Sequence, residues 1–480
     1  MSADPIVPTP EGPVRGIRRA DGTLAFLGIP YAAPPTGERR FLAPQPVAPW
    51  SEPLDATAYG PTPQRRPEDN AIIPEPSVPG DSTLNLNVFT PSPDGARPVL
   101  VWIHGGGFSA GSPASPWYDG HAFNRDGIVT VSVSYRLGFD GFGVIDGIPD
   151  NRGVRDWITA LEWVQRSIRA FGGDPDRVTI AGQSAGGGAV LTLLGMPSAQ
   201  QLFHRAISLS GALGDLPRTL ARERSLRLAE LVGTEPTSEG FRAVGERELT
   251  RRQHEASLLG KTGLAATTST LTDGLPWGPV IDGELITRAT PESLAAGIGS
   301  GKPLLLGATD DEFTMVFDSA PRMLRWVPVG LALRVVERSR AVRRNWRRAN
   351  RDRRGTGAAL GRFVTDRVFR SLVVRVAEAR RNAGTWVYRF AWASPINGWA
   401  HHCLDVPFWF DCLTEEYVAA VTGPTPPQAL ADDMHAVAVA FVHDGEPGWP
   451  DWHTDPGTTR VFGDQPAISR SAYDDALPLL

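Results

Sequence analysis

Two serines in the 480-residue chain lie inside a Gly-x-Ser-x-Gly pattern: Ser109 in Gly107-Phe108-Ser109-Ala110-Gly111 and Ser184 in Gly182-Gln183-Ser184-Ala185-Gly186. With 51 glycines available the pattern is weak by itself, so its surroundings must decide. A reactive serine needs a tight strand-to-helix turn, where small neighbours permit strained backbone and the hydroxyl projects from the edge of a sheet. Ser184 meets that need. Arg177-Val178-Thr179-Ile180-Ala181 is a β-prone run leading into it, and Ala185 to Leu194 follows as a predicted helix of small then aliphatic residues. The N-terminus of that helix favours negative charge developing beside Ser184. Ser109 is followed instead by Gly111-Ser112-Pro113-Ala114-Ser115-Pro116, which does not continue as a helix. Ser184 is therefore read as the nucleophile of a serine hydrolase on an α/β-hydrolase fold, and Ser109 as a loop residue.

Acyl chemistry at a serine needs fixed N–H donors for the oxyanion. His104-Gly105-Gly106-Gly107, directly after a strand ending at Ile103, supplies them because glycine backbone approaches a substrate closely. The expected donors are the N–H groups of Gly106, Gly107 and Ala185. The hydroxyl also needs an imidazole to take its proton, and that imidazole needs a carboxylate on its other nitrogen. In this fold the acid and then the histidine follow the serine in the chain. Of His204, His254, His401, His402, His435, His443 and His453, the pair His401 and His402 follows a late apolar run, Thr385 to Ala391, by a short loop. The run Pro303 to Gly307 opens into Asp310-Asp311-Glu312. The residues alone leave open which carboxylate and which of the two histidines serve.

The elements that must position these groups are legible as alternating patterns. Val99 to Ile103, Val129 to Ser134, Val178 to Ala181, Ala206 to Ser210, Pro303 to Gly307 and Thr385 to Ala391 read as buried strands. Arg155 to Phe171 places Trp157, Ile158, Leu161, Val164 and Ile168 at helical spacing, as a crossover helix requires. The predicted fold class is α/β, a mostly parallel central sheet flanked by helices, in a single catalytic domain over 1–480. Stretches at about 214–272 and 317–362 read as helical insertions over the active-site side. Ten arginines between Arg334 and Arg354 face only Glu337 and Asp352, and are read as a solvated helix face rather than an anion-binding patch.

Composition limits the functions. A hydrophobic content of 41%, 21% charge and a net charge of -5 give no general attraction to nucleic acid or to anionic membrane. The segment MSADPIVPTPEGPVRG lacks a basic leader and an apolar core, and no later run approaches the about 18 apolar residues of a span, so a soluble cytoplasmic protein is expected. The two cysteines, Cys403 and Cys412, leave room for one bridge at most. No metal or organic cofactor is called for. The sequence does not decide between monomer and homodimer.

Longer motifs extend the resemblance along most of the chain. Gly28-Ile29-Pro30-Tyr31-Ala32-Ala33-Pro34-Pro35-Thr36-Gly37 with Arg40-Phe41, Leu84-Asn85-Leu86-Asn87-Val88, the HGGGF element at 104–108 and Tyr135-Arg136-Leu137-Gly138 come in order. Ala170-Phe171-Gly172-Gly173-Asp174-Pro175, Pro279-Val280-Ile281-Asp282-Gly283 and Trp449-Pro450 follow. The chain resembles the type B carboxylesterases, the family of bacterial p-nitrobenzyl esterases, animal carboxylesterases and cholinesterases. The resemblance implies Glu312 as the acid, from an Asp-Glu-Gly element matched by Asp311-Glu312-Phe313. It implies His402 as the base, from His-x-x-Glu-x-x-Phe-x-Phe matched by residues 402–410, and Ser210 as a serine supporting their hydrogen bonds. It also implies a bacterial serine carboxylesterase acting on a small-molecule ester. Thioester, lactone or amide hydrolysis would use the same groups, and a non-catalytic binding protein on this fold would be expected to lack the serine. Four departures stand out: Gln183 for the family's glutamate, Gly80-Asp81-Ser82-Thr83-Leu84 for Ser-Glu-Asp-Cys-Leu, Ser134 for asparagine, and Phe313 for glycine. Trp102, Phe108, Trp117, Phe313, Phe317, Trp399 and Trp409 lie near these motifs and are candidates to line an apolar pocket.

Overall fold

The apolar runs assemble into one eleven-stranded sheet. In the computed structural model, which describes residues 4–63, 72–262, 265, 274–317, 326–351, 355–381 and 383–480, the first six strands are β1 Ile17–Arg18, β2 Leu24–Pro30, β3 Asn85–Thr90, β4 Arg97–Ile103, β5 Val129–Val133 and β6 Gly173–Gln183. The remaining five are β7 Arg205–Leu209, β8 Leu304–Thr309, β9 Thr385–Phe390, β10 Thr459–Phe462 and β11 Ala467–Ser469. Across the sheet the order is β11-β10-β9-β8-β7-β6-β4-β5-β3-β2-β1. Strands β4 to β10 pair in parallel. The edges, β11 on one side and β1 to β3 on the other, pair antiparallel. Parallel neighbours require crossovers that lay helices on both faces, which is why β4, β5, β7 and β8 are buried along nearly their whole length.

The period of two along a strand divides the core. On β4, Val99, Val101 and Ile103 join the larger cluster, while Leu100 and Trp102 point to the opposite face. Two of the helices on the first face pack against β6. One is α1, Arg152–Ser167, which starts three residues before its predicted start and ends in a 3-10 turn at Ile168–Phe171. The other is α2, Ala185–Leu194, which is buried along its entire length. Its glycines permit that depth: a Cβ on Gly186 would stand 2.0 Å from the Ile103 carbonyl oxygen. The second face is covered by a C-terminal helix, Gln428–Asp444, whose Ala438, Phe441 and Val442 share a cluster with Trp102.

The two helix-rich stretches contain α3 Arg218–Val232 and α4 Glu246–Ser257 in the first, and α5 Val329–Val336, α6 Arg340–Ala349 and α7 Thr356–Thr365 in the second. Residues 263–264, 266–273, 318–325 and 352–354 of those stretches lie outside the described residues. On α6, Arg340, Arg344, Arg347 and Arg348 are exposed while Trp346 is buried, donating its indole N–H to Asp366 at 2.8 Å. One π-helical turn, Asp366–Arg370, joins α7 to α8, Ser371–Ala379. Cys403 and Cys412 are both free thiols. Among the described residues no helix is long and apolar enough to cross a membrane.

Candidate active site

Every chemically interesting loop leaves the C-terminal edge of a parallel strand. β6 ends at Gln183, and Ser184 follows at φ 58°, ψ -123°, a conformation disfavoured for a side-chain-bearing residue. Neighbours hold it there. The Ser184 N–H donates to the Leu209 carbonyl at 2.9 Å, and its own carbonyl accepts from Ala212 and Gly188, each at 2.9 Å. Ser184 sits at the N-terminus of α2, whose first N–H groups have no partner within the helix.

The loop after β4 lies against this turn. A Cβ on Gly105 would come within 3.2 Å of the Ser184 Cβ, so only glycine lets the two backbones approach this closely. The loop is anchored by Tyr135, whose hydroxyl donates to the His104 carbonyl at 2.9 Å and whose ring stacks on His104 at 4.5 Å. Gly106 and Gly107 take φ of 105° and 60°, and both line a cavity of about 1170 Å³ shared with Ser184 and His402. Among the described residues neither glycine donates its N–H to a backbone carbonyl. The Ala185 N–H is one of the unpaired groups at the start of α2.

The loops after β8 and β9 are stitched together by main-chain bonds. Asp310 donates its N–H to Phe390 at 3.0 Å, Asp311 to Ala400 at 2.9 Å, and His402 to Glu312 at 2.8 Å. The three adjacent carboxylates are thereby sent to three different places. Asp310 is held by Arg389, through Nε at 2.6 Å and Nη2 at 2.7 Å. Burial alone would raise the Asp310 pKa, but Arg389, Arg362 and Arg370 override it and hold the carboxyl well below the usual range. Asp311 meets the histidine loop through its main chain. Only Glu312, wholly buried, reaches the imidazole: its Oε1 accepts the Thr309 N–H at 2.9 Å and its Oε2 pairs with His402 Nδ1. His401 turns its Nδ1 to the His402 carbonyl at 2.9 Å instead.

Burial disfavours imidazolium at His402, yet the Cys403 thiol and the Glu312 carboxylate beside it raise its pKa well above the ordinary histidine value. Burial also pushes the Cys403 thiol up, which favours its neutral form. With the Nδ1 proton directed to Glu312, Nε2 is an acceptor, and the Gln183 side-chain amide donates to it at 3.2 Å. Two rings enclose the imidazole: Phe313 stacks on it at 4.8 Å and 29°, and Phe369 lies at 5.1 Å.

The aromatic candidates separate accordingly. Phe313 and Phe317 line the cavity. Trp102 does not, because its register on β4 sends it to the opposite face, where it meets Phe410 edge-on at 4.8 Å. Phe108 turns into the core against Phe142 and Trp157. Trp409 packs on Tyr388 and Phe462, and Trp117 donates its indole N–H to Glu416 at 2.9 Å. Trp399 is half-buried away from the cavity wall. Ser210, directly after β7, donates its N–H to Gly307 at 2.8 Å, and its buried hydroxyl makes no hydrogen bond among the described residues. Ser109 reaches the same cavity with a buried hydroxyl that makes none either. Phe369, which pattern reading missed, comes from the π-helical turn, and no local signal marks it.

The chain matches the model of the carboxylesterase family over residues 3–460. It is 32% identical to the para-nitrobenzyl esterase of Bacillus subtilis (strain 168), with 96% of each chain covered. It is 33% identical to the phenmedipham hydrolase of Pseudarthrobacter oxydans, with 97% of each covered. A solved PNB esterase structure superposes with a TM-score of 0.87 at 29% identity over 100% of both chains. With that match running through the elbow, the glycine loop and both later loops, the chain belongs to the carboxylesterase family and is a carboxylic ester hydrolase with the α/β-hydrolase fold.

Proposed function

We propose that the chain is a serine carboxylesterase working through an acyl-enzyme formed on Ser184. The observation that carries this reading is the convergence on one cavity of a strained Ser184 and of His402, whose Nδ1 is held by the buried Glu312. His402 Nε2 takes the Ser184 proton as Oγ bonds to the ester carbonyl carbon, and the carbonyl oxygen becomes an oxyanion among the N–H groups of Gly106, Gly107 and Ala185. Collapse breaks the bond to the alkoxy oxygen, which leaves as the alcohol with the proton from His402. Water then attacks the acyl-enzyme with His402 again as base, and the acid departs as Ser184 recovers its proton. Glu312 fixes the tautomer and steadies the imidazolium that forms. Before the first transfer, the Gln183 amide must yield Nε2 to the serine hydroxyl.

The helical stretches at about 214–272 and 317–362 belong, on this reading, to one catalytic domain and shape the substrate side of the cavity. Thr250 and His254 from the first and Phe317 from the second support this, since they line it. Ser184→Ala tests the central claim. Hydrolysis of 4-nitrophenyl butyrate should fall at least about 10⁴-fold while the circular dichroism melt is unchanged, and near-normal turnover would refute the assignment.

A further inference from the structure

One face of the helix running from α7 into α8 forms a wall of the cavity, and it is divided lengthwise. Val364, Val368 and Leu372, four residues apart, make an apolar row, and Arg367, Ser371 and Arg375 make a polar row beside it. Arg367 is paired with Glu337 at 3.2 Å. Arg375 is not paired with any acid among the described residues: one Nη2 hydrogen goes to the Leu479 carbonyl at 2.9 Å, and its remaining donors have no carboxylate. Its pKa is lowered by burial and by the like charge of Arg367, with no anion acting in the other direction.

The acids that line the same cavity do not fill this role. Glu75 acts on Tyr118 and Tyr135, towards the glycine loop. Asp215 accepts both the N–H and the hydroxyl of Thr290, and burial raises its pKa, with Glu292 rather than an arginine as the charge that acts on it. Both arginines are exposed where they line the cavity, and Arg375, unlike Arg367, has no carboxylate partner among the described residues, so its charge is open to an incoming anion. Arg375 lies six residues beyond Phe369, the ring against His402, so about 9 Å further along the helix at 1.5 Å per residue.

We propose that Arg375, with Arg367, forms an anion subsite, and that the preferred substrates are esters carrying a free carboxylate several bonds from the scissile carbonyl. This rests on the serine esterase reading of the cavity. A planar guanidinium suits a carboxylate by paired N–H donors, and the adjacent apolar row accommodates the methylene chain that joins the carboxylate to the ester.

The test compares mono-4-nitrophenyl adipate with 4-nitrophenyl hexanoate, equal in chain length and differing in the terminal carboxylate. In Arg375→Gln the ratio of kcat/KM for the anionic over the neutral ester should fall about 10-fold, carried by KM, and further in Arg367→Gln/Arg375→Gln. Raising salt from 0.05 to 0.5 M should lower the ratio in the unaltered enzyme more than in the double variant. A ratio that survives both substitutions, or salt dependence identical in both proteins, overturns the subsite. Calorimetric binding of the adipate monoester to Ser184→Ala, with and without Arg375→Gln, separates this from the chemistry. Equal binding to both defeats the subsite even where turnover is absent, whereas absent turnover of both esters with about 10-fold weaker binding defeats the esterase reading alone.

Discussion

Replacing Phe313 by leucine removes an aromatic face from the imidazole while keeping an apolar side chain there. The ring now lies 4.8 Å from the His402 ring, nearly parallel, with Phe369 on another side at 5.1 Å. Once His402 has taken the Ser184 proton it is a cation against two π faces, and a desolvated contact of that kind is worth about 1–2 kcal/mol. At about 1.4 kcal/mol per pH unit, losing it lowers the His402 pKa by about 0.7–1.5. The same loss weakens the imidazolium in the transition state and lowers the plateau rate about 5- to 30-fold. The opposing effect is water, which would enter beside a smaller side chain and favour the charged form; leucine is chosen because it limits that entry. The assay is kcat/KM for 4-nitrophenyl butyrate from pH 5 to 9, with Phe313→Tyr as the variant that keeps the ring. The acid limb, expected above the ordinary histidine value because Glu312 raises the His402 pKa, should move down in Phe313→Leu and stay in Phe313→Tyr. An unmoved limb with an intact plateau, or a limb displaced upward, would refute the argument that the ring stabilises the protonated base.

Four other substitutions probe the same centre. Glu312→Gln should cost about 10³–10⁴-fold in kcat, and Asp311→Asn far less, because only Glu312 reaches Nδ1; the opposite ranking would relocate the acid. Gln183→Glu places a carboxylate where an amide donates 3.2 Å from Nε2, and should raise the acid limb by about one pH unit or more; a fixed limb would show that this side chain does not act on the base. Asp405 is buried, accepts the Tyr388 hydroxyl at 2.8 Å, and has its pKa pushed up to about 7 by burial and the nearby Glu312. A raised folded pKa means stability present below the unfolded value and lost as pH climbs to about 7, so Asp405→Asn should melt higher than the unaltered enzyme at pH 8, by up to about 4 kcal/mol, and much less so at pH 5. Equal shifts at both values would contradict it.

The strands and the crossover helix were legible because a buried parallel strand is apolar on both faces, a signal that survives without knowing its partners. Trp102 shows where the same reading failed. Its nearness to the glycine loop suggested the pocket, but the alternation Leu100, Val101, Trp102, Ile103 already places it on the face opposite Val101 and Ile103. Phe108 escaped differently: its positive φ of 59° follows from the glycine loop's path and turns the ring inward, which no periodicity reports. For the acid, local pattern had no means of choice. Asp310, Asp311 and Glu312 are separated by long-range partners, Arg389 for the first and the loop after β9 for the others.

Two departures from the family's residue pattern, Gln183 and Phe313, come from loops more than a hundred residues apart and meet on one imidazole. Gln183 donates to Nε2, and Phe313 covers the ring face. Their electrostatic effects oppose each other: a donor to Nε2 favours the neutral ring, whereas an aromatic face favours the cation. Removing the family's glutamate takes away a charge that would hold the proton on His402, and adding a ring where glycine is usual returns part of that stabilisation without a formal charge. Both side chains therefore act on the proton affinity of the base, and the pH profiles of the two substitutions should move in the opposite directions derived above.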